Sequence, residues 1–498
     1  MNSAEYLLAS GRKQDKVLFC ENARFTYADL HQASRRLAAE LLRLDVHPRD
    51  CVGILDNNSL FWVCSYLAVL KIGAVAVPFS TTLTPEEFNR NARFTECKAI
   101  CLSIRQYKKY ASALPASVAM VFDECLDQEG PLAWPAESKD FNWDQDAALM
   151  LTSGTTAAPR AVRITHHNIQ ANTNSIIEYL ELNHNERMMD ILPFYYCFGT
   201  SLLHTHLRVG ASLVLCNSFV YPEPVLDTLE ELECTGFAGV PSTYQLLLRN
   251  SSFPRRVKKP LRKIQQAGGK LHNVLIKELV ACQPQARVYV MYGQTEATAR
   301  LSYLPPERLP EKLGSMGKGI PQVQLRVLDE SGNPVKPGEV GEIYATGENI
   351  SPGYWKDPLA SAEKFINGVL KTGDLATVDE EGFIYIVDRK ADFIKSFGFR
   401  VSSQDVESCI LELEDVVSAA VIGEADLVRG EAIRAFVVLH PHTPLTTEDI
   451  INHCRRRMAR HMVPRDVTVV DSLPMNAHGK VVKSELKKYA RPVPQEAS

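Results

Sequence analysis

The residues with the clearest chemical potential form a run of small and hydroxyl side chains directly after an apolar stretch. The segment 151–162 reads LTSGTTAAPRAV, and four hydroxyl groups surround Gly154 in it, those of Thr152, Ser153, Thr155 and Thr156. A loop of small side chains with free backbone N–H groups can cradle a polyphosphate. The segment lacks the Gly-Lys-Ser/Thr ending of a Walker motif, which disfavours a P-loop NTPase. By itself, it is equally compatible with an ordinary polar turn.

Two further segments place carboxylates at the ends of predicted strands. Residues 288–296, VYVMYGQTE, form an apolar run that ends in an aromatic ring, a glycine, a hydroxyl and a carboxylate. The ring of Tyr292 can stack on a base, and Glu296 can ligate Mg²⁺. In the segment KTGD, Asp374 stands in a tight turn where it can accept two hydrogen bonds from a ribose diol. A capped strand end and a hairpin aspartate explain the same residues equally well.

A lysine near the end of the chain is the fourth candidate. Residues 474–480, PMNAHGK, place Lys480 directly after a glycine in a predicted loop. A lone lysine in such a loop is usually only solvated. Each of the four segments is therefore a weak signal when taken separately.

The elements that must position these segments follow a βαβ rhythm. Helical spacing in 26–44 is followed by strand, helix and strand in 52–79, and the alternation returns between 188 and 240. This predicts the α/β class with a largely parallel sheet. After residue 320, alternating apolar and polar residues between Gly and Pro turns predict antiparallel β structure. A shorter α+β pattern follows, so we predict domains at 1–388 and 389–498.

Composition limits the class of protein. With 498 residues, of which 45% are hydrophobic and 23% charged, the chain is neither a small stapled scaffold nor a disordered protein. A net charge of -4 provides no overall basic field, so we expect no nucleic-acid partner. The 12 cysteines form no CxxC pair, and the N-terminus does not resemble a signal peptide. We therefore expect reduced thiols, no membrane span and a cytoplasmic location.

The ordered set of motifs resembles the adenylate-forming superfamily of acyl-CoA synthetases, peptide-synthetase adenylation domains and luciferases. The resemblance covers nearly the whole chain, through TYADL, LKIGAVAVPFS, TSGTTAAPRAV, LPFYYCFG, QAGGKL, YGQTE, GEIYATGENISPGYW, KTGDL, DRKADFIKSFGFRVS and NAHGK. It implies a large N-terminal domain of α/β subdomains plus a β-barrel-like piece, and a small mobile C-terminal domain. It also implies two reaction steps. A carboxylic acid attacks the α-phosphorus of ATP to give acyl-AMP and pyrophosphate, and the thiol of CoA or of a carrier's phosphopantetheine then attacks the acyl carbonyl.

The resemblance also assigns roles to individual residues. The β- and γ-phosphates of ATP would be held by Thr152, Ser153, Gly154, Thr155 and Thr156, and the α-phosphate by Thr295. The adenosine site would comprise Tyr292 and Gly293. Gly268 and Gly269 would form its opposite wall, and Asp374 and Arg389 would bind the ribose. Glu296 would ligate Mg²⁺, and Lys480 would stabilise negative charge between the carboxylate and the α-phosphate. Catalysis would therefore depend on Lys480, Thr155 and Glu296. In the second step the C-terminal domain would rotate, so that Lys395 and Gly398 line the tunnel for the thiol.

Three positions depart from the usual pattern of this family. The phosphate loop has Ala157, Arg160 and Ala161 where Gly, Lys and Gly are usual. Alanine at a site of positive φ costs about 1 kcal/mol, so a stiffer loop or a weaker grip is expected. Ala391 occupies a hinge position that is commonly Asp or Lys, which puts the usual domain alternation in question. Tyr196 replaces the histidine that gates the acyl pocket in many acyl-CoA synthetases, which argues against classical fatty-acid gating.

The sequence predicts the substrate only as a class. The pocket candidates are aromatic or small, namely Tyr195, Tyr196, Phe198, Gly199, Phe237, Ala238 and Val240. They suit an aryl or alkyl acid, although core packing explains them equally well. The segment 235–241, TGFAGVP, offers no carboxylate for a substrate ammonium group, which disfavours an α-amino acid. The acceptor is expected to be CoA or a separate carrier protein, and the enzyme a monomer or homodimer.

An active acid–thiol ligase is the favoured hypothesis because the chain keeps the full set Thr155, Glu296, Asp374, Arg389 and Lys480. One alternative is a stand-alone enzyme that activates an amino acid. Another is a catalytically weak relative that only binds nucleotide or acyl-AMP. A pure binding module has no need for Lys480, which favours the enzyme.

Overall fold

Four β-sheets and the helices around them make up the part of the chain that the structure describes. The structure is a computed structural model, and it describes residues 1–10, 17–20, 23–115, 118–127, 130–137, 141–152, 159–256, 261–389, 393–426, 429–476 and 480–489. Within these ranges, no helix is both long and apolar enough to cross a membrane.

The largest sheet has nine strands, most of them parallel. They are β1 (Leu18–Cys20), β2 (Ala23–Phe25), β9 (Arg187–Asp190), β10 (Ser212–Leu215), β11 (Gly236–Gly239), β12 (Lys263–Gln266), β13 (Arg287–Tyr292), β14 (Ser302–Leu304) and β15 (Lys318–Gly319). Their order is β15-β14-β13-β12-β11-β9-β10-β1-β2. The strands from β13 to β1 in this order run parallel, as the βαβ rhythm predicts.

A second α/β sheet has six strands. They are β3 (Cys51–Leu55), β4 (Val75–Pro78), β5 (Cys97–Leu102), β6 (Ala119–Phe122), β7 (Asp146–Thr152) and β8 (Arg160–Thr165), in the order β6-β5-β3-β4-β7-β8. The last pair is antiparallel, and Thr152 of β7 pairs with Arg160 of β8. The hydroxyl-rich segment of the sequence therefore joins these two strands.

The helices that cover the sheets begin at side-chain caps in several places. Thr26 and Asp29 form a capping box at α2, and the Ser59 side chain caps α3. Helix α3 is buried almost all round because it packs between layers. The α-helices are α1 (Ser3–Leu8), α2 (Tyr27–Arg43), α3 (Leu60–Lys71), α4 (Pro85–Phe94), α5 (Ile104–Tyr110), α6 (His166–Leu180), α7 (Cys197–Val209), α8 (Pro222–Glu231), α9 (Pro241–Arg249), α10 (Asn273–Cys282), α11 (Pro358–Lys364), α12 (Ser403–Ile410), α13 (Thr447–Arg457) and α14 (Lys483–Leu486).

Antiparallel β structure follows after residue 320, as the alternating pattern predicts. The third sheet contains β16 (Gln324–Leu328), β17 (Gly341–Thr346), β18 (Phe365–Ile366), β19 (Val369–Val378) and β20 (Ile384–Arg389). The fourth contains β21 (Ile394–Ser396), β22 (Phe399–Val401), β23 (Val416–Asp426), β24 (Gly430–Leu439) and β25 (Asp466–Val469). The division between the two sheets lies beside the predicted domain boundary at 388/389.

The two faces of the nine-stranded sheet carry different cores. Tyr289 and Met291 of β13 belong to the core shared with α6 and α7, whereas Val288 and Val290 belong to the core on the opposite face. The C-terminal sheet packs on α12 and α13 around a core of its own. The segment before α10 touches that C-terminal part, since His272 Nδ1 and Ser408 Oγ lie 2.6 Å apart.

Candidate active site

The candidate site lies where the parallel strands of the large sheet end. Strands β11, β12 and β13 are neighbours in register, so the segments after their carboxyl ends meet at one edge. Val240, Gly268 and Tyr292 stand at these three ends. A Cβ on Gly268 would lie 2.9 Å from Val240 Cγ1 and 2.8 Å from the Tyr196 hydroxyl. Gly268, which has φ +85°, therefore allows the chain to pass close to both side chains.

The Tyr292 hydroxyl and Asp374 form the closest polar contact of the site. The hydroxyl donates to Asp374 Oδ2 at 2.5 Å, and Gln294 Nε2 donates to the same hydroxyl at 3.3 Å. Burial and the neighbouring carboxylate raise the pKa of Tyr292 well above its ordinary value, so the phenol stays protonated. The structure thus brings the proposed adenine-stacking ring and the proposed ribose carboxylate together. Arg389 pairs with Asp374 through the backbone of β19 and β20.

Glu296 is held by a tyrosine that the sequence did not single out. The Tyr354 hydroxyl donates to Glu296 Oε1 at 2.8 Å, and the Arg160 guanidinium lies 4.8 Å from the centre of the Tyr354 ring. Arg160 also approaches Asp357 to 3.9 Å. Tyr354 therefore connects the arginine that borders the phosphate-loop candidate with the proposed metal carboxylate. The signal for it was the GYW ending of GEIYATGENISPGYW.

Lys480 reaches this site from the C-terminal part of the chain. Its Nζ lies 5.9 Å from the centre of the Tyr196 ring. Its Cε lies 3.8 Å from the position that a Cβ on Gly268 would take. The predicted catalytic lysine is thus next to the predicted acyl pocket and the adenosine wall.

Cys197 and Thr295 complete the centre of the site. Thr295 Oγ1 donates to Cys197 Sγ at 3.5 Å. Burial raises the pKa of the Cys197 thiol, while Thr295 and the charge of Lys480 lower it. Cys197 is therefore a neutral, buried contact of the proposed α-phosphate residue, and the sequence reasoning missed it.

The glycines of the adenosine wall have structural reasons for their type. A Cβ on Gly293 would lie 1.9 Å from the Ala299 carbonyl oxygen, so the chain after β13 folds back onto itself there. Gly269 accepts a hydrogen bond on its carbonyl from Gln266 Nε2 at 2.7 Å. A Cβ on Gly269 would lie 3.2 Å from Pro241 Cγ.

The structure brings together only some of the pocket candidates. Tyr196, Phe198, Ala238 and Val240 belong to the core on the site face of the large sheet. Phe237 belongs to the opposite core, because side chains alternate along β11, and its ring packs against Tyr244. The structure therefore places Phe237 away from the other pocket candidates.

Two more pocket candidates, Tyr195 and Gly199, contact neighbouring parts of the chain. Tyr195 interacts with Ser80, which follows strand β4 of the six-stranded sheet. Gly199 allows α7 to pack closely on the preceding backbone, since its Cβ would lie 2.4 Å from the Pro193 carbonyl oxygen. Gly199 therefore serves the packing of α7, and Tyr195 packs against the same core as Tyr196 and Phe198.

The proposed thiol-tunnel residues lie in an exposed hairpin of the C-terminal part. Lys395 is exposed in β21, and Gly398 has φ +82° in the turn before β22. No heavy atom lies within 4 Å of a Cβ built on Gly398 among the described residues. The hairpin of Lys395 and Gly398 is therefore exposed in the structure in which Lys480 lies beside Tyr196.

Several predicted residues lie outside the described part of the chain. These are Ser153, Gly154, Thr155, Thr156 and Ala157 of the phosphate loop, and Ala391 of the hinge segment. Thr152 is described, and its Oγ1 donates to the Arg160 carbonyl oxygen at 3.5 Å. The roles proposed for the residues outside the described part of the chain stay predictions.

Comparisons with known proteins agree with this geometry. The model of the AMP-binding enzyme family matches residues 8–355, and that of the AMP-binding enzyme C-terminal domain matches 405–480. The 2-succinylbenzoate–CoA ligase of Bacillus velezensis is 31% identical over 95% of this chain and 95% of its own. The crystal structure of the anthranilate CoA ligase AuaEII with anthranoyl-AMP has a TM-score of 0.90 at 25% identity, covering 99% of this chain and 97% of that one. The o-succinylbenzoate CoA synthetase of Bacillus subtilis with ATP and magnesium has a TM-score of 0.86 at 29% identity, covering 97% and 99%. The chain thus belongs to the AMP-binding enzyme family and is an ATP-dependent, AMP-forming acid–thiol ligase.

Proposed function

We propose that this ligase converts an aryl acid to its acyl-AMP and then to its CoA thioester. The observation that carries the proposal is the position of Lys480, whose side chain lies beside Tyr196 and Gly268. A lysine there can neutralise the negative charge that develops between the attacking carboxylate and the α-phosphate. Positioned charges of this kind account for most of the rate gain in phosphoryl transfer.

The nucleotide would be held by both walls of the site. The phosphates would lie against the loop after Thr152, with Thr295 at the α-phosphate. Asp374 would accept hydrogen bonds from the ribose diol, with Arg389 beside it, and Tyr292 would stack on adenine opposite Gly268 and Gly269. The hydrogen bond from Tyr292 to Asp374 supports this part, because it fixes the ring and the carboxylate relative to each other.

The residues fit a bound Mg²⁺ at Glu296. Its carboxylate is half-buried, offers hard oxygen ligands, and is oriented by the Tyr354 hydroxyl through a single oxygen. When bound, the ion neutralises charge on the ATP phosphates. Tyr354 and Arg160 would hold the carboxylate in place for this purpose.

An aryl acid agrees with the pocket better than an alkyl acid. The ring centres of Tyr196 and Phe198 lie 6.4 Å apart, and Ala238, a small residue, belongs to the same core. The named relatives act on 2-succinylbenzoate and anthranilate, which are aromatic acids. CoA is the proposed acceptor because both are CoA ligases.

The two half-reactions would use two positions of the C-terminal domain. We place the hinge next to Arg389, with domains at 1–388 and 389–498, since the third and fourth sheets, before and after it, are separate. Rotation would withdraw Lys480 and bring the hairpin of Lys395 and Gly398 to the acyl-AMP. A cytoplasmic location and a monomer or homodimer stay predictions.

The test is ATP–pyrophosphate exchange by the purified protein with Mg²⁺ across aryl, alkyl and amino acids. We expect exchange with aryl acids, followed by thioester formation when CoA is added. Exchange with amino acids alone would overturn the proposal in favour of an amino-acid-activating enzyme. ATP binding without exchange for any acid would instead indicate the nucleotide-binding relative.

A further inference from the structure

Arg300 is a buried arginine beside the acyl pocket. Arg300 is 1% exposed, and its side chain is among the largest that are fully buried in the described part of the chain. The backbone directs it inward. Gly293 lets the chain approach Ala299 closely, and Thr298 forms a tight turn with φ 65° and ψ -58°, closed by a hydrogen bond from Ala299 N to Ala297 O.

The guanidinium of Arg300 is only partly satisfied. Its Cζ lies 3.9 Å from the centre of the Phe198 ring, and it lies within hydrogen-bond reach of the Tyr179 hydroxyl. Nε and Nη2 are buried and have no hydrogen-bond partner within the described ranges. No described carboxylate forms an ion pair with it. Stacking on a ring leaves the in-plane N–H groups of an arginine free for a planar anion.

A buried cation without a counter-charge is unfavourable, and its surroundings increase the cost. Arginine does not lose its proton in proteins, so the charge remains. Phe198 is the second residue of α7, and no described side chain caps the start of that helix. The helix dipole is positive at this end, which disfavours a cation and favours an anion. An anionic group at Arg300 would therefore be held by both the guanidinium and the helix.

The position of Arg300 separates it from the reacting carboxylate. Lys480 approaches the pocket at Tyr196 and Gly268, at the carboxyl ends of the strands. Arg300 instead stacks on Phe198, whose ring centre lies 6.4 Å from that of Tyr196, and it reaches the Tyr179 hydroxyl, which contacts Met291 Sδ at 3.0 Å. The guanidinium therefore lies at the Phe198 ring of the pocket, whereas Lys480 lies at the Tyr196 ring.

Gln265 adds a second unsatisfied polar group on the same face of the sheet. It is 0% exposed, and both atoms of its amide lack hydrogen-bond partners within the described chain. Its neighbour Ile264 belongs to the opposite core, so Gln265 projects toward the α6 and α7 side, like its register partner Tyr289. Buried amides are almost always hydrogen-bonded, so a ligand is the natural partner.

We propose that Arg300 and Gln265 form a polar subsite on the Phe198 side of the acyl pocket that binds a second carboxylate of the acid being activated. The preferred substrate is then an aromatic dicarboxylic acid, and this inference rests on the proposed function. One carboxylate reacts at Lys480. The other is held by the fork of Arg300 and by the Gln265 amide, and is not consumed.

The test compares acids that differ only by a second carboxylate. The probes are phenylpropanoate, its ortho-, meta- and para-carboxy derivatives, hexanoate and adipate, measured by pyrophosphate exchange. We expect kcat/KM for the best diacid to exceed that for phenylpropanoate by about 10²-fold, because a site built for a polar group rejects a substrate that lacks it.

Variants then locate the preference. Arg300→Leu should abolish it while exchange with phenylpropanoate is kept or improved, and Arg300→Lys should restore part of it. Gln265→Leu should lower kcat/KM for the diacid by about 10-fold. Arg326→Leu is the matched control, since Arg326 is exposed in β16, and it should behave like the wild type.

Two results would overturn the inference. One is a wild-type enzyme whose kcat/KM for phenylpropanoate equals that for every diacid. This result does not depend on the folding of any variant. The other is an equal loss for monoacid and diacid in Arg300→Leu, which would assign Arg300 to the fold or to the reacting carboxylate. In either case the wild type still exchanges pyrophosphate with aryl acids, whereas failure of the proposed function would abolish exchange with all of them.

Discussion

The ammonium of Lys480 lies 5.9 Å from the centre of the Tyr196 ring, across the contact between the C-terminal part and the large N-terminal part of the chain. Tyr196 stands where many acyl-CoA synthetases carry a gating histidine. Here the ring instead forms one wall of the space that the lysine enters. This is the arrangement that the proposed first half-reaction requires, and the hairpin proposed to line the thiol tunnel lies exposed elsewhere.

Removal of this lysine should separate the two half-reactions. Lys480→Ala is expected to lower pyrophosphate exchange by about 10²–10³-fold, because one positioned charge is lost at the transition state. Thioester formation from supplied acyl-AMP should be unchanged. Lys488→Ala is the matched control, since Lys488 is exposed and forms an ion pair with Glu485. An equal loss in both half-reactions would contradict the assignment.

A large side chain at Gly398 should produce the opposite pattern. Gly398→Trp is expected to block the thiol path and to spare pyrophosphate exchange. The residue has φ +82°, so the substitution also strains the hairpin by about 1 kcal/mol. Gly368→Trp is a control of similar strain, because Gly368 has φ +77° and no described atom near its Cβ. A comparable fall in exchange for Gly398→Trp would refute the two-position account.

The Tyr292 hydroxyl is expected to position Asp374 rather than to bind nucleotide itself. Tyr292→Phe keeps the ring and should raise the KM for ATP by about 10-fold, since one hydrogen bond to a charged group is lost. Asp374→Ala should raise it further because the ribose contact is lost as well. Initial rates of exchange at varied ATP would check the order. A larger effect in Tyr292→Phe than in Asp374→Ala would show that the roles are reversed.

His272 contacts Ser408 of the C-terminal part in the arrangement that places Lys480 beside Tyr196, which we call the closed arrangement. This contact should make the closed arrangement sensitive to acid. Burial, with the charges of Lys270 and Lys483, lowers the pKa of His272 to about 3. In an open arrangement its pKa returns to about 6.5, so protons bind the open form more tightly. The closed form is therefore fully favoured above pH 6.5 and weakens as the pH falls toward 3, by about 10-fold at pH 5.5.

The measurement is the pH profile of pyrophosphate exchange. His272→Gln should remove the acidic loss, while His47→Gln should keep it, because His47 is exposed. An unchanged profile in His272→Gln would show that His272 does not control the arrangement. Burial also raises the pKa of the nearby Asp405, so its titration contributes to the acidic side of the same pH profile.

The turn at Thr298 stores backbone strain beside the site. A β-branched residue with φ 65° is unfavourable, and the Thr298 hydroxyl offsets this by donating to the Asn349 carbonyl oxygen at 2.8 Å. Thr298→Ala should lose the hydrogen bond and keep the strain, whereas Thr298→Gly loses both. Urea unfolding should therefore find the glycine variant more stable than the alanine variant by about 1 kcal/mol. The reverse order would mean that the turn is not strained.

Much of the fold follows from local patterns in the sequence. The alternation between 188 and 240 predicted β9, α7, β10, α8 and β11, because apolar spacing reports which side of an element is buried. The change of pattern after residue 320 predicted the antiparallel third sheet. The residues Tyr292, Asp374, Glu296 and Lys480 were chosen from their types and order alone.

Only the tertiary structure decided which side chains meet. Phe237 was a reasonable pocket candidate by type, but a strand sends alternate residues to opposite faces, and the register of β11 places it on the other side from Ala238. Arg300 followed YGQTE without any special spacing, and its importance comes from burial without a counter-charge. Tyr354 likewise gained its role from a partner 58 residues away in the chain. Contacts of this kind depend on how separate elements pack, and no local pattern in the sequence encodes them.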